Sequence, residues 1–127
     1  MNAEDIKHRY NVVAIIAAVG AIIALAGVVL AYSELPKVDI LDIIVYVAVA
    51  FTGIYNIKPS IDVKGATINV IVGILGIVIA GLIYIKNADE LEAQSFSDLG
   101  IGIWILFIGI ILFTIFTISD MMYKRKQ

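Results

Sequence analysis

Four long apolar segments alternate with short polar ones along the 127 residues of this chain. Each apolar segment has about 20 residues, and about 20 helical residues cross about 30 Å of hydrocarbon. The predicted spans are residues 11–32, 38–57, 65–85 and 98–119. One such segment would also fit a buried helix of a soluble protein, but four in so short a chain predict a single membrane domain over residues 1–127.

The segments between the spans are short, and two of them contain a proline. Pro36 lies between the first two spans and Pro59 between the second and third. Residues 86–98 are expected to form an acidic loop, and residues 121–127 a basic tail. Because short connections join antiparallel neighbours in helical bundles, the sequence predicts an all-α integral membrane protein with four transmembrane helices in an up-down antiparallel bundle.

The second span carries acidic residues, and its polar positions share one helix face. An arc of roughly 100° holds six positions of this helix. They are Asp39, Asp42, Tyr46, Val49, Gly53 and Asn56. A polar face within a membrane needs partners inside the bundle. Asp39 and Asp42 also fit the N-cap and N3 positions, where carboxylates stabilise a helix start, so both capping and a polar path are open to them.

Small residues mark the helix faces that are expected to pack together. They are Ala14, Ala17, Ala18, Ala21, Ala24 and Ala31 in the first span, Gly65, Gly73, Gly76 and Ala80 in the third, and Gly102 and Gly109 in the fourth. Lipid gives helices no hydrophobic drive to associate, so close backbone approach at small residues has to supply it. Asn69 shares the small face of the third span, where it would bond another helix or line a conduction path. The hydroxyls of Thr114 and Thr117 are expected to bond carbonyls of their own helix.

Composition agrees with a membrane protein, and the distribution of charge predicts its orientation. Hydrophobic residues make up 61% of the chain and charged residues 16%, whereas soluble domains have about 45–50% and about 25%. Seven of the nine basic residues lie on one predicted side, namely Lys7, Arg9, Lys58, Lys64, Lys124, Arg125 and Lys126. The positive-inside rule therefore predicts a multi-pass protein of the cell membrane with both termini in the cytoplasm. Its abundant isoleucine favours an AT-rich prokaryotic source.

The same orientation places most carboxylates on the outer side. They are Glu34, Asp39, Asp42, Asp89, Glu90, Glu92 and Asp98, against Lys37 and Lys86 as the basic residues there. A negative mouth of this kind would concentrate cations. The alternative is that acidic residues collect where basic ones are excluded.

No residue pattern in the chain indicates catalysis. There is no cysteine and one histidine, and no motif for a nucleophile, a zinc protease, a phosphate loop or a dinucleotide is present. We therefore expect no enzymatic activity, no cofactor and no metal site, and the absence of a basic face argues against nucleic acid as a partner.

Two functions fit these observations. The first is a non-catalytic structural or accessory subunit that packs in the bilayer against other membrane proteins or against copies of itself. The second is a small cation channel or carrier, with a path past Asp42, Tyr46, Asn56 and Asn69. The subunit is favoured because Asp42 lies only about one turn into its span, whereas functional charges in carriers usually lie near the middle of the membrane.

Overall fold

The described part of the chain is built from four α-helices. The computed structural model describes the backbone of residues 3–55, 63–90 and 100–125, and the side chains of residues 12–55, 67–89 and 100–122. The helices are α1 (Ala3–Glu34), α2 (Ile40–Tyr55), α3 (Val63–Glu90) and α4 (Ile101–Arg125). The expectation of an all-α protein is confirmed.

Three of the helices are long and apolar enough to cross a membrane. The apolar stretches Val12–Glu34, Thr67–Asp89 and Ile101–Met122 have 23, 23 and 22 residues, which rise about 33–35 Å at 1.5 Å per residue. Helix α2 has 16 residues and rises about 24 Å, less than the hydrocarbon thickness of about 30 Å. The second predicted span, residues 38–57, begins two residues before this helix, and its residues 56 and 57 lie outside the described residues.

The helices also extend beyond several predicted span ends. Residues 86–90, expected in a loop, belong to α3, and residues 121–125, expected in a tail, belong to α4. The loop prediction was wrong for residues 86–90, because hydropathy reports where apolar side chains stop and a helix can continue past that point. The basic tail was predicted from charge alone, and its residues 121–125 are helical. The rest of the predicted loop, residues 91–99, lies outside the described residues.

Helices α1 and α4 share the most extensive interface in the molecule. The close pairs are Gly20 with Phe113, Gly27 with Leu106, and Gly102 with Ala31. Residue numbers fall along α4 as they rise along α1, so these two helices run antiparallel. All six alanines of the predicted packing stripe in α1 are buried. Small residues on both helices therefore allow close contact between the two backbones.

Helices α2 and α3 complete the bundle. Helix α2 packs on α1, and helix α3 packs on α4. Helices α2 and α3 also contact each other, less extensively than any of the pairs α1–α4, α3–α4 and α1–α2. This contact leaves an open apolar groove of about 290 Å³, whose lining includes Ala48, Thr52 and Gly76. The large side chains buried at the centre include Tyr46, Phe113, Leu106 and Ile110.

The outer surface of the bundle is apolar on every helix. Exposed residues include Ile22 on α1, Phe51 on α2, Leu75 on α3 and Ile108 on α4. Three long apolar helices with isoleucine, leucine, valine and phenylalanine on their outer faces define a multi-pass membrane protein whose surface contacts the lipid bilayer.

Candidate functional site

Asp39 and Asp42, the two acidic residues of the predicted polar face, lie at the start of α2, and the backbone amide of each bonds to the other residue. The amide of Asp39 donates to Oδ2 of Asp42 at 3.0 Å, and the amide of Asp42 donates to the carbonyl of Asp39 at 3.0 Å. Since α2 begins at Ile40, Asp39 occupies the N-cap position and Asp42 the N3 position. The first bond has the geometry of the N3 side chain in a capping box, and one carboxylate oxygen of Asp42 is engaged in it.

Below this cap, the inward face of α2 is filled by tightly packed side chains. Tyr46 is fully buried, and its hydroxyl donates to the backbone carbonyl of Gly76 on α3 at 2.6 Å. Val49 and Gly53 follow on the same face and are also buried. A Cβ on Gly53 would lie 3.2 Å from the ring of Phe113. The face that sequence periodicity marks as polar is therefore the buried face of α2, whereas Asn56 lies outside the described residues.

The small face of α3 contacts α4 and α2. A Cβ added at Gly73 would lie 2.5 Å from Oγ1 of Thr114, and one added at Gly76 would lie 2.5 Å from Cδ1 of Ile110. Ala80 is fully buried on the same face. The side-chain surroundings of Gly65, near the start of α3, lie outside the described residues. Gly73, Gly76 and Ala80 are thus used in contacts within this chain.

The glycines of α4 contact α1. A Cβ on Gly102 would lie 2.5 Å from the amide nitrogen of Ala31, and one on Gly109 would lie 2.7 Å from Cα of Ala24. Both neighbours are backbone atoms, which cannot move aside as the end of a flexible side chain can. These two positions are therefore among the closest approaches of the two helices.

Asn87 forms a connection between helices that the sequence analysis missed. Its side chain is fully buried. Its Nδ2 donates to the carbonyl of Ile83 at 2.8 Å, and its Oδ1 accepts from the amide of Lys37 at 2.9 Å. Because Lys37 lies in the turn between α1 and α2, Asn87 fastens that turn to α3. The periodicity that gives Asn69, Gly73, Gly76 and Ala80 continues through residues 83 and 87, but the predicted span ended at residue 85.

Glu34 forms a second missed connection, at the start of α4. Its Oε1 accepts from the amide of Gly102 at 2.8 Å, so the last residue of α1 bonds one of the open amides of α4. Gly100 precedes α4 with a φ of 87°, a conformation that favours glycine. A side chain at this position would also meet the Glu34 carboxylate, whose Oε2 lies 2.9 Å from the Cβ position.

Polar side chains also lie at the end of the α3–α4 interface that is formed by the start of α3 and the end of α4. Asn69, Thr114, Thr117 and Asp120 are all buried. The hydroxyl of Thr114 donates to the carbonyl of Ile110 at 2.8 Å, and that of Thr117 donates to the carbonyl of Thr114 at 2.9 Å. Both threonines thus bond their own helix, as predicted. Asp120 was missed because it follows the predicted end of the span, although its spacing of three residues from Thr117 places it on the same face.

Among the residues that the structure describes, no group of three histidine or acidic side chains could hold a metal ion. Comparison with protein-family models, with curated proteins and with solved structures finds no match for this chain. The fold and the buried contacts define the class at the level of a multi-pass helical membrane protein.

Proposed function

We propose that this chain is a non-catalytic structural or accessory subunit of the cell membrane, packed in the bilayer against other membrane proteins or against copies of itself. In this proposal α2 also crosses the membrane, which makes an up-down bundle of four spans with both termini in the cytoplasm. The distribution of basic residues supports this orientation. The antiparallel contacts of α1 with α4 agree with it.

The use of the polar side chains that bond between elements of the fold carries the proposal. Tyr46 bonds α3, Asn87 bonds the turn before α2, and Glu34 bonds the start of α4. Each of these groups stabilises a contact between two parts of the bundle. Side chains that serve a substrate would instead converge on a common open space, and these three lie at different junctions of the fold.

The flank formed by α2 and α3 is where we expect a partner helix to pack. These two helices contact each other less extensively than α1 contacts α4 or α3 contacts α4, and the apolar lining of their groove includes the small residues Ala48 and Gly76. Small residues permit close helix approach in lipid. A partner there would complete an interface that this chain leaves partly open.

Purification in a mild detergent tests the proposal. Native mass spectrometry of the full chain extracted from its own membranes is expected to find it bound to copies of itself or to other membrane proteins. A cysteine replacing Ala48 should crosslink within that complex, whereas one replacing Ile108, on the outer face of α4, should not. A monomeric chain under all mild extraction conditions would contradict the proposal.

The cation path past Asp42, Tyr46, Asn56 and Asn69 is the alternative. The packing of Tyr46, Val49 and Gly53 argues against it, because these residues fill the route that a hydrated ion would take. In vesicles containing the purified protein, Asp42→Asn should leave cation flux unchanged. Flux in the wild type that this substitution abolishes would favour the path over the subunit.

A further inference from the structure

The open groove between α2 and α3 has a charged residue beyond the end of each of its two walls. Val49 of α2 and Ile79 of α3 line the groove. Asp42 lies seven residues before Val49, and Lys86 lies seven residues after Ile79. Seven residues make almost two full helical turns, so each charged residue continues the groove face of its own helix. Both lie at the end of the flank where α2 begins and α3 ends.

Two hydrogen bonds give the levels of these charges along the helices. The hydroxyl of Tyr46 bonds Gly76, and the turn before α2 bonds Asn87, so α2 and α3 run antiparallel. The two bonds together place Asp42 about 7 Å below the level of Lys86. Because helical Cα–Cβ bonds lean toward the N-terminus of their own helix, the two side chains lean toward a common level.

The carboxylate of Asp42 can accept a partner from outside the chain. One of its oxygens accepts from the amide of Asp39, and no basic side chain that the structure describes forms an ion pair with it. Residues 90–99, whose side chains lie outside the described part, contain no basic residue. Exposed apolar surface gives helices no drive to associate in lipid. Close packing and charge therefore decide what this flank binds.

A second copy of this chain is complementary to the flank. Copies that are inserted in the same orientation can be related by a two-fold axis along the membrane normal. For two flanks in contact, this operation brings α2 of each copy against α3 of the other. Asp42 then faces Lys86 of the second copy, and the pair occurs twice in the interface. A contact of α2 with α2 would instead oppose Asp42 with its own copy, and like charges are unfavourable across an interface.

We propose that the α2–α3 flank is the interface of a two-fold symmetric homodimer, in which Asp42 and Lys86 of each copy pair with Lys86 and Asp42 of the other. The flexible four-carbon stem of lysine covers the difference in level between the two charges. Ala48, an exposed small residue on the groove wall, allows a helix of the second copy to approach α2 closely. This inference rests on the proposed function and selects a copy of the same chain as the partner.

Exchanging the two charges between chains tests the pairing. In phosphatidylcholine vesicles, energy transfer between full chains that carry a donor or an acceptor dye at the amino terminus measures association. Asp42→Lys and Lys86→Asp each oppose like charges twice per dimer, and each should weaken self-association by at least about tenfold. An equimolar mixture of the two variants restores both opposite-charge pairs and should associate nearly as tightly as the wild type. Each variant carries two like charges at these positions, so only contact between chains can produce this rescue.

Ser33→Lys is the matched control for an added positive charge. Ser33 is exposed near the end of α1, at the same end of the bundle as Asp42 but outside the flank. This variant should self-associate like the wild type, and it should rescue Lys86→Asp no better than the wild type does.

Crosslinking between single cysteines carries the test if a charge variant fails to fold. Ala48 on α2 and Leu75 on α3 both line the groove. A chain with Ala48→Cys should crosslink to a chain with Leu75→Cys, because the two-fold axis brings α2 against α3 of the second copy. Ile108→Cys, on the outer face of α4, should not crosslink to either.

The proposal is overturned if the wild-type chain stays monomeric in vesicles, or if the mixed charge variants associate no better than each variant alone. Crosslinking of Ala48→Cys to a different membrane protein, with the purified chain monomeric, would assign the flank to that protein and also overturn the homodimer. The proposed function would survive that result, since it fails only if the chain also has no partner in its own membranes.

Discussion

The close approach of α1 and α4 can be tested by adding a single methyl group at Gly109. A Cβ at this position would lie 2.7 Å from both Cα of Ala24 and the carbonyl oxygen of Gly20, against 3.4 Å where ordinary contact begins. The shortfall is about 0.7 Å, and the amide nitrogen of Ala24 is closer still. Because every one of these neighbours is a backbone atom, the helices themselves must separate.

That separation has a predictable cost. A gap of about 0.5–1 Å removes a quarter to a half of the dispersion energy of each contact it opens, and overpacking of a close-fitting core typically costs about 1–3 kcal/mol. The neighbouring glycine contacts at residues 20, 27 and 102 would be opened at the same time. We therefore expect Gly109→Ala to lie near the upper limit, about 3 kcal/mol.

Gly81→Ala is the matched control. Gly81 also lies within a long apolar helix, and nothing lies within 4 Å of a Cβ placed there. Both variants gain the same intrinsic preference of alanine for helix, about 1 kcal/mol in peptides, so their difference reports packing. Unfolding by SDS in mixed micelles, followed by circular dichroism, measures that difference. Equal stability of the two variants would refute the close-packed α1–α4 interface.

Three further substitutions test the connections between helices. Tyr46→Phe keeps the ring but removes the bond to Gly76, and should lower the free energy of unfolding by about 0.6–1.7 kcal/mol, the range for hydrogen bonds between membrane helices; no change would exclude a stabilising role for this bond. Asn87→Leu removes the bond to the amide of Lys37 and should cost about 0.5–1.5 kcal/mol, with faster hydrogen exchange at that amide as the local readout. Glu34→Gln removes a charge at the start of α4 and should cost about 0.3–1 kcal/mol, an effect that must shrink in high salt if the helix dipole is its cause.

Sequence periodicity predicted which helix faces are buried, because it depends on local geometry alone. The alanine stripe of α1 and the inward face of α2 follow directly from 3.6 residues per turn. The same reasoning could have extended to Asn87 and Asp120, which continue the spacing of their helices. Neither residue was predicted to belong to its helix, because each span was ended at the residue where the apolar segment stops.

Other features depend on which helices contact each other. The periodicity within one helix carries no information about that. The contact of Glu34 with Gly102 joins residues 68 positions apart, and the Tyr46 bond depends on α2 lying beside a glycine of α3. The predicted span begins at residue 38, two residues before α2 begins at Ile40, and its last two residues, 56 and 57, lie outside the described residues.

The central claim is that four helices, including the short α2, cross the bilayer with both termini in the cytoplasm. The chain has no cysteine, so a single introduced thiol is an unambiguous probe. In intact cells, a membrane-impermeant thiol reagent should label Lys37→Cys and should label Ser60→Cys only after the membrane is opened. Labelling of both positions from the same side would show that α2 does not cross and would contradict the four-span account.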